Sequence, residues 1–314
     1  MTWIAAYAPA QQAANAQQAA QNAWCAAVGQ PVIRTVEPMP ADVDSILVVT
    51  WNVKVGGGDV QALIADLRRG DVTGGAPVEH FVLLLQETQR TAGDVPDRVA
   101  GARVPRGIHA HTPAGERTSI DDVARKLHLS LAYVPSMRNG DRAGAPPEDR
   151  GNAILSTLPL RDVAAIELPL VRQRRVVVSA MVSGRASSGS DWALQVASVH
   201  LENRPARGLT GVSDREEQMA RLLDALPAAS MCVLGGDLNT WARGAREPAV
   251  ARALQHHPET GRTPGDITFD GPSFFNVRLD YLFARLPRGR LSGYARVDQR
   301  YGSDHYPVLA WVHF

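Results

Sequence analysis

Residues 46–52 read Ile46-Leu47-Val48-Val49-Thr50-Trp51-Asn52. Apolar side chains at consecutive rather than alternate positions fit a strand covered on both faces. Comparable runs recur at residues 81–86, 152–156, 175–182, 193–199, 231–235, 279–284 and 306–312. Helical spacing is rarer: Val60, Leu63, Ile64 and Leu67 share one face of residues 59–67, and similar patterns occupy 119–129 and 213–226. Ser119 and Ser213 stand where N-caps would, and Asp121, Asp122 and Asp214 suit the positive end of a helix dipole. Many strands with few helices do not fit a strictly alternating βαβ chain. They predict an α/β fold of two packed mixed sheets with helices outside, forming one domain over residues 45–314. Residues 1–44 read as an appendage that ends in the helix breakers Pro31, Pro38 and Pro40. Its Ala/Gln-rich stretch, residues 10–23, is open to three readings: a loose helix, a tether, or the remnant of a targeting segment. Residues 138–150 read as a long surface loop and 183–191 as a hairpin tip.

The chain of 314 residues carries 33 basic and 32 acidic side chains, a net charge of +1. That balance excludes a globally basic nucleic-acid coat but leaves a local patch open. Only Lys54 and Lys126 among the cations are lysines. No run of 18 apolar residues occurs, so no stable membrane insertion is expected. Cys25 and Cys232 are too few for a disulfide framework or a four-thiolate zinc site, and Cys232 reads as a buried small hydrophobe. No convincing secretion signal opens the chain, which favours the cytoplasm while the compartment and oligomeric state stay open.

Polar side chains of one chemical kind end the apolar runs. Asn52, Glu87, His200, Asp237 with Asn239, Asp280, and Asp304 with His305 all lie at such boundaries. Each alone would be an ordinary cap or turn residue. Together, carboxylates and amides are hard oxygen donors suited to Mg²⁺ or Mn²⁺, and two histidines suit proton transfer or a hydrogen bond to phosphate. A hard cation with carboxylates and histidines is equipment for hydrolysing phosphate esters.

The ordered series Thr50-Trp51-Asn52, Gln86-Glu87, Gly151-Asn152-Ala153-Ile154-Leu155-Ser156, Val199-His200-Leu201, Gly236-Asp237-Leu238-Asn239, Leu279-Asp280-Tyr281 and Ser303-Asp304-His305-Tyr306-Pro307 resembles the endonuclease/exonuclease/phosphatase superfamily, with its DNase I-like fold. The resemblance implies a four-layer α/β/β/α sandwich with the site at one end. It implies Glu87 as the principal metal carboxylate, with Asn52 and Asp304 beside it. Asp237 and Asn239 would contact the phosphate and the attacking water. His305 would be the catalytic histidine, oriented by Asp280. His200 would donate to a phosphate oxygen or protonate the leaving group.

Around that set, Arg150 reads either as a phosphate clamp or as a solvated loop residue, and Asn152 as a residue of the site rim. Gly151 between them would let backbone approach a substrate. Arg172, Arg174 and Arg175 read as a solvated sheet edge rather than a substrate patch. His109 and His111 read as loop residues, and His256-His257 as cationic side chains ending a helix. The Gly56-Gly57-Gly58 run lacks the Lys-Ser/Thr of a P-loop; a Gly-x-Ser-x-Gly elbow and a dinucleotide fingerprint are also missing.

The superfamily spans nucleases, inositol-phosphate phosphatases, sphingomyelinases and RNA deadenylases. His200-Leu201 stands where the abasic-site repair branch typically shows Tyr-Val-Pro-Asn, which ranks that branch lower. Near-neutral charge argues against tight sequence-independent DNA binding, not against a small phosphodiester or a short single strand. Trp241 is open to base stacking or to burial under its loop, and Phe274-Phe275 to a lipid-facing tip or half burial. The leading expectation is a nuclease-like, Mg²⁺- or Mn²⁺-dependent phosphodiesterase acting on a phosphate ester, nucleic acid included. A lipid or inositol-phosphate hydrolase and an inactive binding module on the same fold are the alternatives.

Overall fold

The computed structural model describes residues 1–6, 16–37, 42–96, 117–139, 146–203, 211–228, 231–241, 244–271, 276–287 and 289–314. Residues 46–52 lie in β3 (Ser45–Asn52). With β2 (Val32–Arg34), β4 (Phe81–Thr91), β5 (Ser130–Arg138), β6 (Glu148–Ser156), β14 (Arg290–Arg296) and β15 (Val308–His313), it builds a seven-stranded sheet among the described residues. Its order is β14-β15-β3-β4-β6-β5-β2, and β3 runs parallel to β4. A six-stranded sheet joins β1 (Thr2–Ile4), β7 (Arg161–Glu167), β8 (Val176–Arg185), β9 (Asp191–His200), β10 (Met231–Asp237) and β13 (Asp280–Arg285). Its order is β1-β7-β8-β9-β10-β13, with β9 parallel to β10. Phe269–Asp270 (β11) and Asn276–Val277 (β12) form a small ribbon.

The α-helices among the described residues are α1 (Ala16–Cys25), α2 (Val60–Arg69), α3 (Ile120–Leu127), α4 (Val212–Ala225) and α5 (Pro248–His256). Among the described residues three large apolar cores stack between the layers, beside a small cluster of Trp24, Met137 and Leu170. Ile46 and Val48 meet Leu84, Val178 and Val196 between the sheets. Leu47, Val49 and Trp51 on the other face of β3 meet Leu63, Ile64 and Leu67 of α2 and Val123 of α3. Met219 and Leu222 of α4 and Ala249 and Val250 of α5 cover Val199, Leu234 and Phe283 of the six-stranded sheet. The consecutive apolar run is thereby explained: both faces of β3 are buried, and each such side chain contributes about 1.5–3 kcal/mol. The layers are helix, sheet, sheet, helix, as the strand-rich pattern predicted.

Several local expectations change. Asp59 caps α2 by accepting the Ala62 N–H. Ser119 holds the N-cap position of α3 with no side-chain cap bond. Ser213 lies inside α4, whose N-cap is Gly211 in the left-handed region. Residues 138–150 are less loop-like than expected, because β5 runs to Arg138 and β6 starts at Glu148; residues 140–145 lie outside the described residues. Arg174 and Arg175 are buried rather than solvated. Arg174 Nε donates to Glu167 Oε1 at 3.0 Å and its Nη1 to the Pro135 carbonyl at 2.8 Å, so the pair ties one sheet to the other.

Residues 1–44 contribute a strand to each sheet. β1 pairs parallel with β7, and β2 antiparallel with β5. Between them, Gln21 Nε2 donates to Glu167 at 2.7 Å, and the Gly29 N–H to Asp149 at 2.9 Å. Sheet edges take any chain that offers backbone donors and acceptors, and here the short segments Thr2–Ile4 and Val32–Arg34, on either side of the Ala/Gln-rich stretch, supply them.

Candidate active site

Three strands of the six-stranded sheet carry the row on which the site is built. Asp237 at the end of β10 is in register with His200 on β9 and with Asp280 on β13. In-register residues on neighbouring strands share one face, so the three side chains converge without any loop. The facing sheet supplies Asn52 at the end of β3 and Glu87 on β4. The ladder between β4 and β6 shifts register between Leu85 and Thr88, and Glu87 there adopts φ 55°. Such a bulge re-aims a side chain at a sheet end. Lys54 and Val55 follow Asn52 with φ 50° and 53°, and Asn239 has φ 51°. These left-handed residues turn backbone donors onto the site: Lys54 N–H reaches Asn52 Oδ1 at 3.0 Å, Val55 N–H reaches Glu87 Oε2 at 3.1 Å, and Asn239 N–H reaches Asp237 Oδ1 at 2.9 Å.

His305 sits at the centre. Its Nδ1 lies 2.8 Å from Asp280 Oδ2 and its Nε2 3.8 Å from Asp237 Oδ2. Burial works against the charged imidazole, but the charge and hydrogen bond of Asp280, with Asp237 and Asp304 adding to them, outweigh it and push His305 up to about 10. Burial raises the Asp237 carboxyl to about 7; Asp280 adds to the rise, and the His305 charge and the Asn52 amide oppose it. Asn52 Nδ2 donates to Asp237 Oδ2 at 3.0 Å. His200 Nε2 lies 3.5 Å from that oxygen and 4.0 Å from Glu87 Oε1. Burial, helped by the cations Arg175, His305 and Arg150, holds His200 well below the usual imidazole range. The two histidines therefore carry different charges at neutral pH: His305 cationic, His200 neutral.

The structure thus brings Asn52, Glu87, His200, Asp237, Asp280 and His305 together. Asn239 lies beside them and holds the Leu201 carbonyl through Nδ2 at 3.0 Å. Asp304 faces Lys54, with Nζ 3.4 Å from Oδ2. Arg150 is half-buried close enough to oppose a charge on His200. Asn152 departs from the expected rim position. It is buried, and its Nδ2 donates to the carbonyls of Val176 and Ser198 across the two sheets, at 2.9 and 3.2 Å. Gly151 serves strand packing, since a Cβ there would fall 1.9 Å from the Val134 carbonyl oxygen. Trp241 is exposed; its Nε1 donates to Asn239 Oδ1 at 2.8 Å and its ring meets Phe269 edge-on at 4.9 Å. His109, His111, Phe274 and Phe275 lie outside the described residues.

Three further residues shape the site. Thr268 Oγ1 donates to Asp280 Oδ2 at 2.7 Å and accepts the Asp280 N–H at 2.9 Å. Ser303 Oγ donates to the Asn52 carbonyl and accepts the His305 N–H. Arg175 is a buried cation near Glu202, Glu87 and Asp237. Ser303 was visible in its motif. Thr268 had no distinguishing signal, and Arg175 was singled out with Arg172 and Arg174 but read as a solvated sheet edge, whereas it is buried.

A hard divalent ion needs oxygen donors with unused lone pairs. Asp280 Oδ1 is buried with no hydrogen-bond partner. The donor atoms of Asp237, Asp280 and His305 lie within 4.8 Å of one another. His305 is a poor ligand there, because metal binding requires a deprotonated imidazole and the two carboxylates favour its proton. Glu87, Asn52 and Asp304 are the better fit: all offer oxygen, and the Lys54–Asp304 pair is partly exposed and cheap to break.

Residues 49–305 match the model of the Endonuclease/Exonuclease/phosphatase family. No curated protein matches the sequence. Among solved structures, an endonuclease/exonuclease/phosphatase from Beutenbergia cavernae is 19% identical with a TM-score of 0.59, covering 87% of this chain and 72% of that one. A family protein from Leptotrichia buccalis is 16% identical with a TM-score of 0.56, covering 86% and 100%. An AP endonuclease from Archaeoglobus fulgidus is 13% identical with a TM-score of 0.50, covering 84% and 98%. At these identities the likeness shows the fold.

Proposed function

The chain belongs to the endonuclease/exonuclease/phosphatase family, whose members are phosphoester hydrolases and generally divalent-metal dependent, and from that premise we propose that it is a Mg²⁺- or Mn²⁺-dependent phosphodiesterase with nuclease-like substrates. One observation carries the reading: His305, gripped by Asp280 at 2.8 Å, shares a buried pocket with Asp237, His200 and Glu87 drawn from two sheets.

Glu87, with Asn52 and Asp304, would hold the cation. When bound it neutralises phosphate charge and favours departure of the leaving oxygen. Asp237 suits the general base: a carboxyl near 7 is matched to neutral pH, and Oδ2, which accepts the Asn52 amide, keeps a second lone pair for the water proton, while Oδ1 holds the Asn239 N–H. His305 directs a cationic Nε2–H at the phosphate oxygens, with Asp280 fixing the ring. His200 hydrogen-bonds the phosphate or leaving oxygen as a neutral imidazole. Arg150 adds positive charge at the edge.

A panel tests the substrate class: single-stranded DNA, duplex DNA, bis(p-nitrophenyl) phosphate, sphingomyelin vesicles and an inositol polyphosphate, each with Mg²⁺ or Mn²⁺. Cleavage of nucleic acid and the chromogenic diester is expected. Turnover confined to vesicles or phosphomonoesters contradicts the nuclease-like reading.

A further inference from the structure

Four large apolar side chains are exposed among the described residues: Met1, Trp3, Ile33 and Trp241. The first three lie on or beside the edge strands β1 and β2; Trp241 stands next to the site, two residues after Asn239. Its indole is 38% exposed, yet its polar end is turned inward. Nε1 donates to Asn239 Oδ1 at 2.8 Å, and the Trp241 backbone N–H donates to the Asn239 carbonyl at 2.9 Å. Water would satisfy an indole N–H at no cost in ordering, so a bond to a side chain that is 2% exposed points to a task for it. The turn that aims it is rigid. Leu238 N–H donates to the Leu279 carbonyl and Thr240 Oγ1 to the Arg278 carbonyl, both at 2.8 Å, while Asn239 between them holds φ 51°.

An asparagine amide turns end for end freely unless its partners differ in kind. Here they do. An indole N–H can only donate, and it meets Oδ1; the Leu201 carbonyl can only accept, and it takes Nδ2 at 3.0 Å. The reversed amide would set N–H against N–H and carbonyl against carbonyl. The amide is therefore held in one sense, with Leu201 taking one Nδ2 hydrogen and the other left for an anionic oxygen. The same residue's backbone N–H holds Asp237 Oδ1 at 2.9 Å, so what steadies Asn239 also steadies the base. On its other side the indole meets Phe269 edge-on at 4.9 Å, and Phe269 meets His305 likewise at 4.9 Å and pairs with it in backbone. Trp241 thus braces Asn239 against the wall that carries His305.

We propose that Trp241 is a positioning residue that acts through Asn239, its indole N–H setting the amide so that Nδ2 offers a hydrogen to the phosphate or the attacking water. The inference rests on the phosphodiesterase reading above, and one arm of its test does not use catalysis. Trp241→Phe keeps an aromatic edge for Phe269 and removes the N–H at an exposed position. Asn239→Gly removes the amide and suits the left-handed backbone. On bis(p-nitrophenyl) phosphate, Trp241→Phe is expected to lower kcat at least ~10-fold with KM changed less than about twofold. In the Asn239→Gly background the same substitution should change the rate less than about twofold, because the group it sets is gone. Hydrogen exchange at the Trp241 indole N–H, read by NMR in EDTA, should be protected in the parent and at least ~10-fold faster in Asn239→Gly. An unchanged kcat, an effect confined to KM, as stacking on substrate would give, an equal loss in both backgrounds, or an unprotected indole N–H overturns the proposal. In a parent chain that hydrolyses no phosphodiester the functional reading fails, and the exchange arm still decides whether Trp241 holds the amide.

Discussion

Asp280 has one carboxylate oxygen engaged twice, by Thr268 and by His305, and the other buried without a partner. That arrangement fixes the imidazole and keeps it charged. Asp280→Asn is expected to lower kcat on bis(p-nitrophenyl) phosphate by ~10²–10³-fold at unchanged fold, the size of a lost acid–base group. NMR titration of His305 should show its pKa falling; a loss under twofold would assign Asp280 to structure alone. Lys54, Val55, Glu87 and Asn239 all hold left-handed backbone around the same pocket. Each such residue costs on the order of 1–3 kcal/mol, strain that surrounding packing must over-determine. His305, Asp280 and Glu87 were legible in the sequence because acids and histidines interrupt apolar runs there. Thr268 was not, because a threonine beside prolines and glycines looks like any turn residue. Arg175 was misread because arginines are seldom fully buried, and the acids around it, Glu202, Glu87 and Asp237, are remote in sequence.

At the scale of elements, register does most of the positioning. His200, Asp237 and Asp280 align because β9, β10 and β13 pair without a shift along their ends. The strands found from sequence are doubly buried ones with continuous apolar runs; β5, buried along its whole length, was missed because Ser130, Pro135 and Ser136 interrupt its run. β14 escaped notice as an edge strand with Arg290, Ser292 and Arg296 half-buried or exposed, and β7 because its run is short and bounded by charge. The end of α5 also departs from expectation. His257 was read as a cation favouring the helix dipole; it is buried, both ring nitrogens lack partners, and burial, with Arg285 and His256 adding, lowers it to about 4. The unfolded chain, with an imidazole near 6.5, binds the proton first as pH falls. Stability is therefore intact above about 6.5 and declines between about 6.5 and 4, by at most ~3 kcal/mol. Urea denaturation across that window should show a flatter acid limb in His257→Met. An identical limb would mean His257 does not titrate in the unfolding transition.

At the scale of the molecule, three large apolar cores among the described residues hold the four layers, and a polar seam joins the sheets beneath the site. Gln86 Nε2 donates to Ser198 Oγ at 3.0 Å, and Asn152 reaches the Ser198 carbonyl. The layers were legible from strand number and burial pattern. The placement of residues 1–44 was not, because backbone pairing at a sheet edge leaves little trace in side-chain composition. We expect a chain beginning at residue 36 to melt at least ~5 °C lower, since β7 and β5 lose partner strands and Glu167 loses Gln21. Unchanged melting would make the segment a peripheral attachment. The central claim is that acids and histidines from two sheets form one metal-assisted phosphodiesterase centre. It is tested most directly by hydrolysis of bis(p-nitrophenyl) phosphate with and without Mg²⁺ or Mn²⁺ in the parent chain, Glu87→Ala and His305→Ala at matched folding. The rate should require the divalent ion and fall at least ~10²-fold in either variant; turnover that persists in EDTA, or is undiminished in both variants, contradicts it.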